Sequence, residues 1–152
     1  MKDAECEIPP DQTGTRTLIA VFAGPVADQL LHFGRHAGFR TVLVDPKGDI
    51  TAIPGDDDAD IVIADHHRPE LGQVLKEALA GRSRWIGVIG SPRHPAPHPA
   101  ALKELGVSDA DIARVHRPIG LNIGSRTPGE IAIATLAGLI ADRNGRPGGF
   151  EW

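Results

Sequence analysis

The 152-residue sequence has one cysteine, one methionine and no tyrosine, and its aromatic share is only 4%. Cys6 stands alone in a polar segment beside Pro9 and Pro10, so no internal disulfide can form. Without tyrosine, a Tyr–Lys proton-transfer pair is excluded. Charges, prolines and glycines interrupt every apolar run well short of the roughly 20 residues that span a bilayer, and no membrane association is expected. Met1–Thr17 lacks an apolar core of signal-peptide type, which makes the cytoplasm the expected compartment. Basic charge is also in deficit. A formal net charge of −4 argues against a nucleic-acid binder. What is present, 41% hydrophobic and 24% charged residues, is the composition of one ordinary globular domain.

Residues 1–16 show no apolar periodicity and read as a flexible leader, residues 17–145 as one domain, and residues 146–152 as a C-terminal tail. Within the domain, short β-branched runs alternate with helical stretches. That pattern predicts an α/β, three-layer Rossmann-like fold: a mostly parallel sheet with helices on both faces. Strands are expected at Leu18–Phe22, Thr41–Asp45, Ile61–Ala64 and Trp85–Ile89, with a short fifth at Arg114–His116. The acidic turn Gly55–Asp60 precedes the third strand. Pro25 opens a helix in which Val26, Leu30, Phe33 and Ala37 share a face, and Gly38 ends it. Pro69 opens a second, amphipathic helix that Gly81 closes, while Ala100–Leu105 allows only a short one. The last helix carries the fullest start signal, with Thr127 as cap, Pro128 in the first position and Glu130 completing a capping box. Apolar residues surround most of its circumference, so it is expected to be largely buried.

Ligands of parallel sheets gather at the carboxyl ends of the strands. In the first loop a G-x-G-x-x-G fingerprint would place glycines at Phe22, Gly24 and Ala27. Gly24 is retained, Ala27 is an accepted substitute, and Phe22 breaks the pattern. Pro25 follows, and Asp45 at the end of the second strand stands where an acid binds a ribose hydroxyl. Two readings stay open here, an NAD(P)-type nucleotide site and a fold that has lost it. Asp65-His66-His67 offers donors, yet adjacent histidines on an extended segment point to opposite sides, and no metal site is expected. Gly90–Ser91 supplies a turn with a hydroxyl. The run Gly120-Leu-Asn-Ile-Gly124-Ser-Arg126-Thr127 leads into the last helix, whose free N–H groups and dipole, aided by Arg126, would hold an anion.

The runs Trp85-Ile-Gly-Val-Ile-Gly-Ser91, Leu102-Lys-Glu-Leu-Gly106 and Ile112–Ala132, with its Arg-Pro-Ile-Gly-Leu-Asn-Ile-Gly-Ser-Arg-Thr-Pro-Gly-Glu core, resemble the C-terminal domain of the XdhC/CoxI family. The resemblance extends through Gly24–Ala27 and Asp45 over nearly all of the domain. It implies an accessory role in maturing molybdenum hydroxylases of the xanthine dehydrogenase type, with molybdenum cofactor (molybdopterin) as ligand and the apoenzyme as partner. By the same resemblance Ser91, Gly120, Gly124, Arg126 and Thr127 line the pocket, and His67 matches a histidine in the loop after the third strand. Departures are that Pro92 and Pro95 interrupt a basic helix start and leave only Arg93, and that Asn122 replaces an aspartate. The segment from Asp45 to Ile61 is also short for a full strand–helix unit. The family's N-terminal domain with its Gly-Gly-Cys segment lies outside the resemblance, so any sulfur chemistry seated there is not expected of this chain. A non-catalytic cofactor holder leads. A small NAD(P) oxidoreductase and a ligand-free interaction module are the alternatives, and a homodimer is compatible with each.

Overall fold

A computed structural model describes residues 16–48 and 53–152. Among these, strands β1 (Thr17–Val21), β2 (Arg40–Val44), β3 (Ala59–Ile63), β4 (Trp85–Val88) and β5 (Val115–His116) form one parallel sheet in the order β2-β1-β3-β4-β5. Helices α1 (Pro25–His36), α2 (Leu71–Ala80), α3 (His98–Glu104), α4 (Asp109–Ile112) and α5 (Pro128–Arg143) cover it. This is the α/β fold that the alternating pattern predicts.

The central strands bury every residue, which is why they read as continuous apolar runs rather than alternating ones. One face sets Ile19, Val21, Ile61 and Ile63 against Leu71, Val74 and Leu75 of α2 and Leu102 of α3. The opposite face sets Leu18, Ala20 and Val62 against Leu30 of α1 and Leu136 and Leu139 of α5. At the edge, β2 is less covered, and Leu43 is 45% exposed. No helix forms among the described residues between β2 and β3. The short connection instead crosses the α2 face, with Ile53 on the core and Gly55 against Ile19 and Ile61.

Several boundaries differ from the sequence expectation for physical reasons. β3 starts at Ala59 rather than Ile61, and so takes in a charged residue from the acidic turn. Asp60 can sit fully buried there because Arg84 Nε and Arg143 Nε donate to its two oxygens at 2.7 and 2.8 Å. α3 starts two residues early, at His98, because Pro99 falls in its first turn, where a missing N–H is harmless. α5 is not buried all round: Ala132, Thr135, Leu136 and Leu139 face inward, while Ile133 is 50% exposed. The expected leader lies outside the described residues except for Arg16. In the tail, Phe150 and Trp152 are exposed.

The helix directions position the site. α1 leaves the carboxyl end of β1. α5 ends at the amino end of β3, where Arg143 NH1 donates to Asp58 at 2.6 Å. The two helices pack side by side and run the same way, so both start at the carboxyl edge of the sheet. The order of the strands also changes direction between β1 and β3. In parallel sheets ligands bind at such a switch, which here lies at the same edge.

Candidate functional site at the carboxyl edge of the sheet

The first loop keeps the turn of a glycine fingerprint without its first glycine. Phe22 has φ +76°, a conformation that favours glycine, yet its ring is fully buried. Phe22 N–H donates to Val44 O at 2.8 Å, and the Arg68 guanidinium lies 4.7 Å above the ring. Burying a phenyl is worth about 3–5 kcal/mol, whereas releasing such backbone strain recovers about 1–3 kcal/mol. Burial therefore wins. Phe22→Gly is expected to lower stability by about 1–3 kcal/mol in denaturant unfolding, and a stabilised variant would contradict this balance.

Asp45 is partly engaged already. Its Oδ1 accepts from Ala23 N–H at 3.0 Å and lies 3.5 Å from Arg68 NH1, which ties the β1 and β2 ends together. A carboxylate has acceptor sites beyond these, so capacity for a hydroxyl persists on a side chain that is 26% exposed. Before Gly24 there is open space: a carbon added there would meet nothing within 4 Å. Pro25 begins α1 and removes one N–H from its first turn.

After β3 the two histidines lie on one side, not on opposite sides as an extended segment would place them. Their ring centroids are 3.9 Å apart. Asp65 explains this, because its Oδ1 accepts from His67 N–H at 2.8 Å and curls the chain into a turn. His67 is the exposed member. His66 is half-buried, with its ring N–H donating to the Ile89 carbonyl. Burial, then neighbouring His67 and Arg117, pull its pKa below the ordinary histidine value. Among the described residues no group of three or more His, Cys, Asp or Glu gathers as a metal cluster would.

Gly90 and Ser91 follow β4. A side chain at Gly90 would collide with the Arg117 guanidinium, whose Nε lies 2.4 Å from the place of a Cβ. Arg117 NH2 donates to Ser91 O, and NH1 to His94 O, each at 3.2 Å. The Ser91 hydroxyl accepts from Arg93 N–H at 3.2 Å, closing the turn.

The last loop departs from its expected chemistry. The two N–H groups nearest the helix start, those of Arg126 and Thr127, are already taken. Glu130 Oε1 accepts from Arg126 N–H at 2.9 Å and from Thr127 N–H at 3.3 Å, and Thr127 Oγ1 accepts from Glu130 N–H at 3.2 Å. The capping box thus sets a resident carboxylate where an external anion was expected, and those two backbone donors hold Glu130 below the usual carboxylate pKa. The Arg126 side chain is exposed. Gly124, at φ +71°, faces open space. Gly120, at φ +86°, does the opposite and packs against the α5 backbone at Ala134 and Thr135.

The sequence model of the XdhC Rossmann domain matches residues 18–139. The chain belongs to the XdhC Rossmann domain family. A crystal structure described as a xanthine dehydrogenase from Bacillus halodurans is similar, with a TM-score of 0.64 and 24% identity over 87% of this chain and 44% of its own. At that identity the likeness shows the fold. The uncharacterized protein YqeB of Escherichia coli (strain K12) is 39% identical over 83 residues, or 55% of this chain and 15% of YqeB. The chain thus spans less than half the length of either relative.

The family motif also has structural duties. Gly87 in the Trp85–Ser91 run leaves room for the Trp85 ring, which would lie 2.2 Å from an added Cβ and which stacks on His116 with centroids 5.0 Å apart. Beside this pair a cleft of about 250 Å³ is lined by Gly120, Gly138, Asp142 and Arg146. It lies along α5 and the β5 edge and takes in Gly120 of the XdhC motif, whereas His66, Gly90 and Ser91 follow the carboxyl ends of β3 and β4. The sequence does not single out Arg117, and it presents His66 only as one of two adjacent histidine donors. Arg117 sits inside a motif whose glycines drew attention, and only its contact with Gly90 marks it.

Proposed function

We propose that this XdhC Rossmann domain serves the maturation of a molybdenum hydroxylase of the xanthine dehydrogenase type. It holds a pterin cofactor or nucleotide across the carboxyl edge of the sheet and docks on the apoenzyme, and it performs no catalysis of its own. The observation that carries this reading is the family match over residues 18–139. The local structure suits a phosphate-bearing ligand: open space lies before Gly24 and beside Gly124, and Arg117 meets the Gly90–Ser91 turn. Pterin-bound molybdenum supplies its own chemistry, and the residues of this chain bind and orient its carrier.

A panel of molybdopterin, NAD(H), NADP(H) and FAD tests the reading by thermal shift, since a ligand that binds only the native state raises the melting temperature. At 100 times its Kd such a ligand adds about 2.7 kcal/mol. Molybdopterin is expected to give the largest rise, and Arg126→Ala to weaken its binding. A rise with NAD(P)(H) alone would instead favour the oxidoreductase reading, for which Asp45 is the residue that speaks. No rise with any of them would leave an interaction module. Unchanged molybdopterin binding in Arg126→Ala would remove that side chain from the site.

A further inference from the structure

Two buried polar atoms, one just after β5 and one at the start of α3, have no partner. Arg117 Nε and His98 Nδ1 are both sealed from solvent and make no hydrogen bond. Buried polar atoms are nearly always paired, so these two call for a partner, a bound water or a ligand. His98 is 6% exposed, and burial, followed by the Arg117 guanidinium, pulls its pKa below the ordinary value. The same guanidinium acts on His66, which follows β3.

Charge separates this cluster from the protein's structural arginines. Arg68, Arg84, Arg114 and Arg143 each pair with a carboxylate. Half-buried Arg117 pairs with none among the described residues, and its two hydrogen bonds go to backbone carbonyls. The carboxylate nearest in sequence to His66 is Asp65, whose Oδ1 already takes the His67 N–H. A water molecule would satisfy the orphaned atoms but not the unpaired positive charge. An anion satisfies both. The cluster is not closed off either, since His66, Gly90, Ser91 and Arg117 all keep part of their surface.

We propose that Arg117, His66 and His98 form a subsite for a tetrahedral oxyanion of the phosphate class, held between the ends of β3, β4 and β5. Arg117 provides the fixed charge and His98 Nδ1 an N–H donor, while His66, whose one neutral-state N–H goes to the Ile89 carbonyl, donates to the anion when the bound charge protonates it. This assigns the anion grip to Arg117 rather than to the start of α5, where Glu130 already sits. The phosphate belongs either to a free ion or to an ester such as a pterin or nucleotide phosphate. Only the ester case rests on the proposed function.

The test titrates the full chain with inorganic phosphate, at constant ionic strength against chloride, and follows the histidine imidazole signals by NMR. His66 and His98 are expected to shift saturably with phosphate and not with chloride. Arg117→Gln should weaken phosphate binding about tenfold or more, Arg117→Lys less, and Arg82→Ala, an exposed arginine paired with Asp57 before β4, should leave it unchanged. Should Arg117→Gln fail to fold, the wild-type histidine shifts decide alone. Unmoved His66 and His98 signals, equal shifts with chloride, or shifts confined to residues 120–127 would overturn the subsite. Adenosine monophosphate competing where adenosine does not identifies an ester, and phosphate binding without that competition identifies a free ion; either supports the site. Phosphate at Arg117 without molybdopterin binding would defeat the proposed function and leave this subsite standing. Molybdopterin binding with silent histidines would do the reverse.

Discussion

Asp60→Ala is expected to lower the unfolding free energy by about 3–5 kcal/mol and the melting temperature by about 10 °C or more. Asp60 is fully buried on β3 and receives the Nε groups of Arg84 and Arg143. Those arginines reach outward in turn, Arg84 to Asp142 and Arg143 to Asp58, each at 2.6 Å. The network fastens the end of α5 to the amino ends of β3 and β4. Truncating Asp60 leaves two guanidiniums around a vacated carboxylate site, with side chains only 24% and 10% exposed. Losing one partner from a buried pair costs far more than the pair as a whole contributes, because the charge left behind is not rehydrated. Asp60→Asn keeps the shape and removes the charge, so the difference between the two variants isolates the electrostatic part. The Arg82–Asp57 pair, with side chains 79% and 69% exposed, provides the contrast. Arg82→Ala should leave the melting temperature unchanged within error, because water screens that pair. Equal losses from Asp60→Ala and Arg82→Ala would contradict the network.

Gly120→Ala is expected to destabilise by about 2–4 kcal/mol and to loosen the loop that carries Gly124 and Arg126. Two penalties combine. The residue has φ +86°, where a side chain is strained, and an added Cβ would stand 3.1 Å from the backbone of Ala134 and Thr135. Helix backbone gives way less readily than a side-chain tip. Gly138 forms the other half of the contact, 3.2 Å from Gly120 Cα by the same measure, so the two substitutions made together should cost less than their sum. Gly129→Ala, in the first turn of α5 with nothing within 4 Å, should be neutral or gain up to about 1 kcal/mol from helix propensity. Denaturant midpoints compare the three directly. A Gly120→Ala midpoint matching that of Gly129→Ala would show that the loop does not rest on α5 as described.

Much of this architecture is legible in the sequence because local and tertiary signals agree. Thr127, Pro128 and Glu130 form the expected capping box, and Gly38 ends α1 at φ +89°. The apolar runs give all five strands to within two residues. The misjudged features are those that depend on distant partners. Asp60 reads as part of an acidic turn until Arg84 and Arg143, far along the chain, neutralise it inside a strand. The close approach of His66 and His67 depends on one Asx turn at Asp65, which the alternation rule for extended chain does not foresee. The capping box is legible as a start signal, but its consequence for anion binding follows only from the bonds Glu130 makes in the fold. A carboxylate that caps the helix also consumes the donors an anion would use. Arg117 is invisible for a related reason, since a charge inside a proline- and glycine-rich motif gains meaning only when the fold lays it over Gly90.

In the proposed function the carboxyl edge of the sheet, and not the cleft along α5, receives a phosphate-bearing pterin. Backbone amide mapping of the whole chain during titration with molybdopterin tests it most directly. The account predicts saturable shifts at Ala23–Gly24, His66–His67, Gly90–Ser91 and Arg117, with the Trp85, Gly138 and Arg146 amides still. Shifts centred on Trp85, Gly138 and Arg146, or none at saturating molybdopterin, would contradict it.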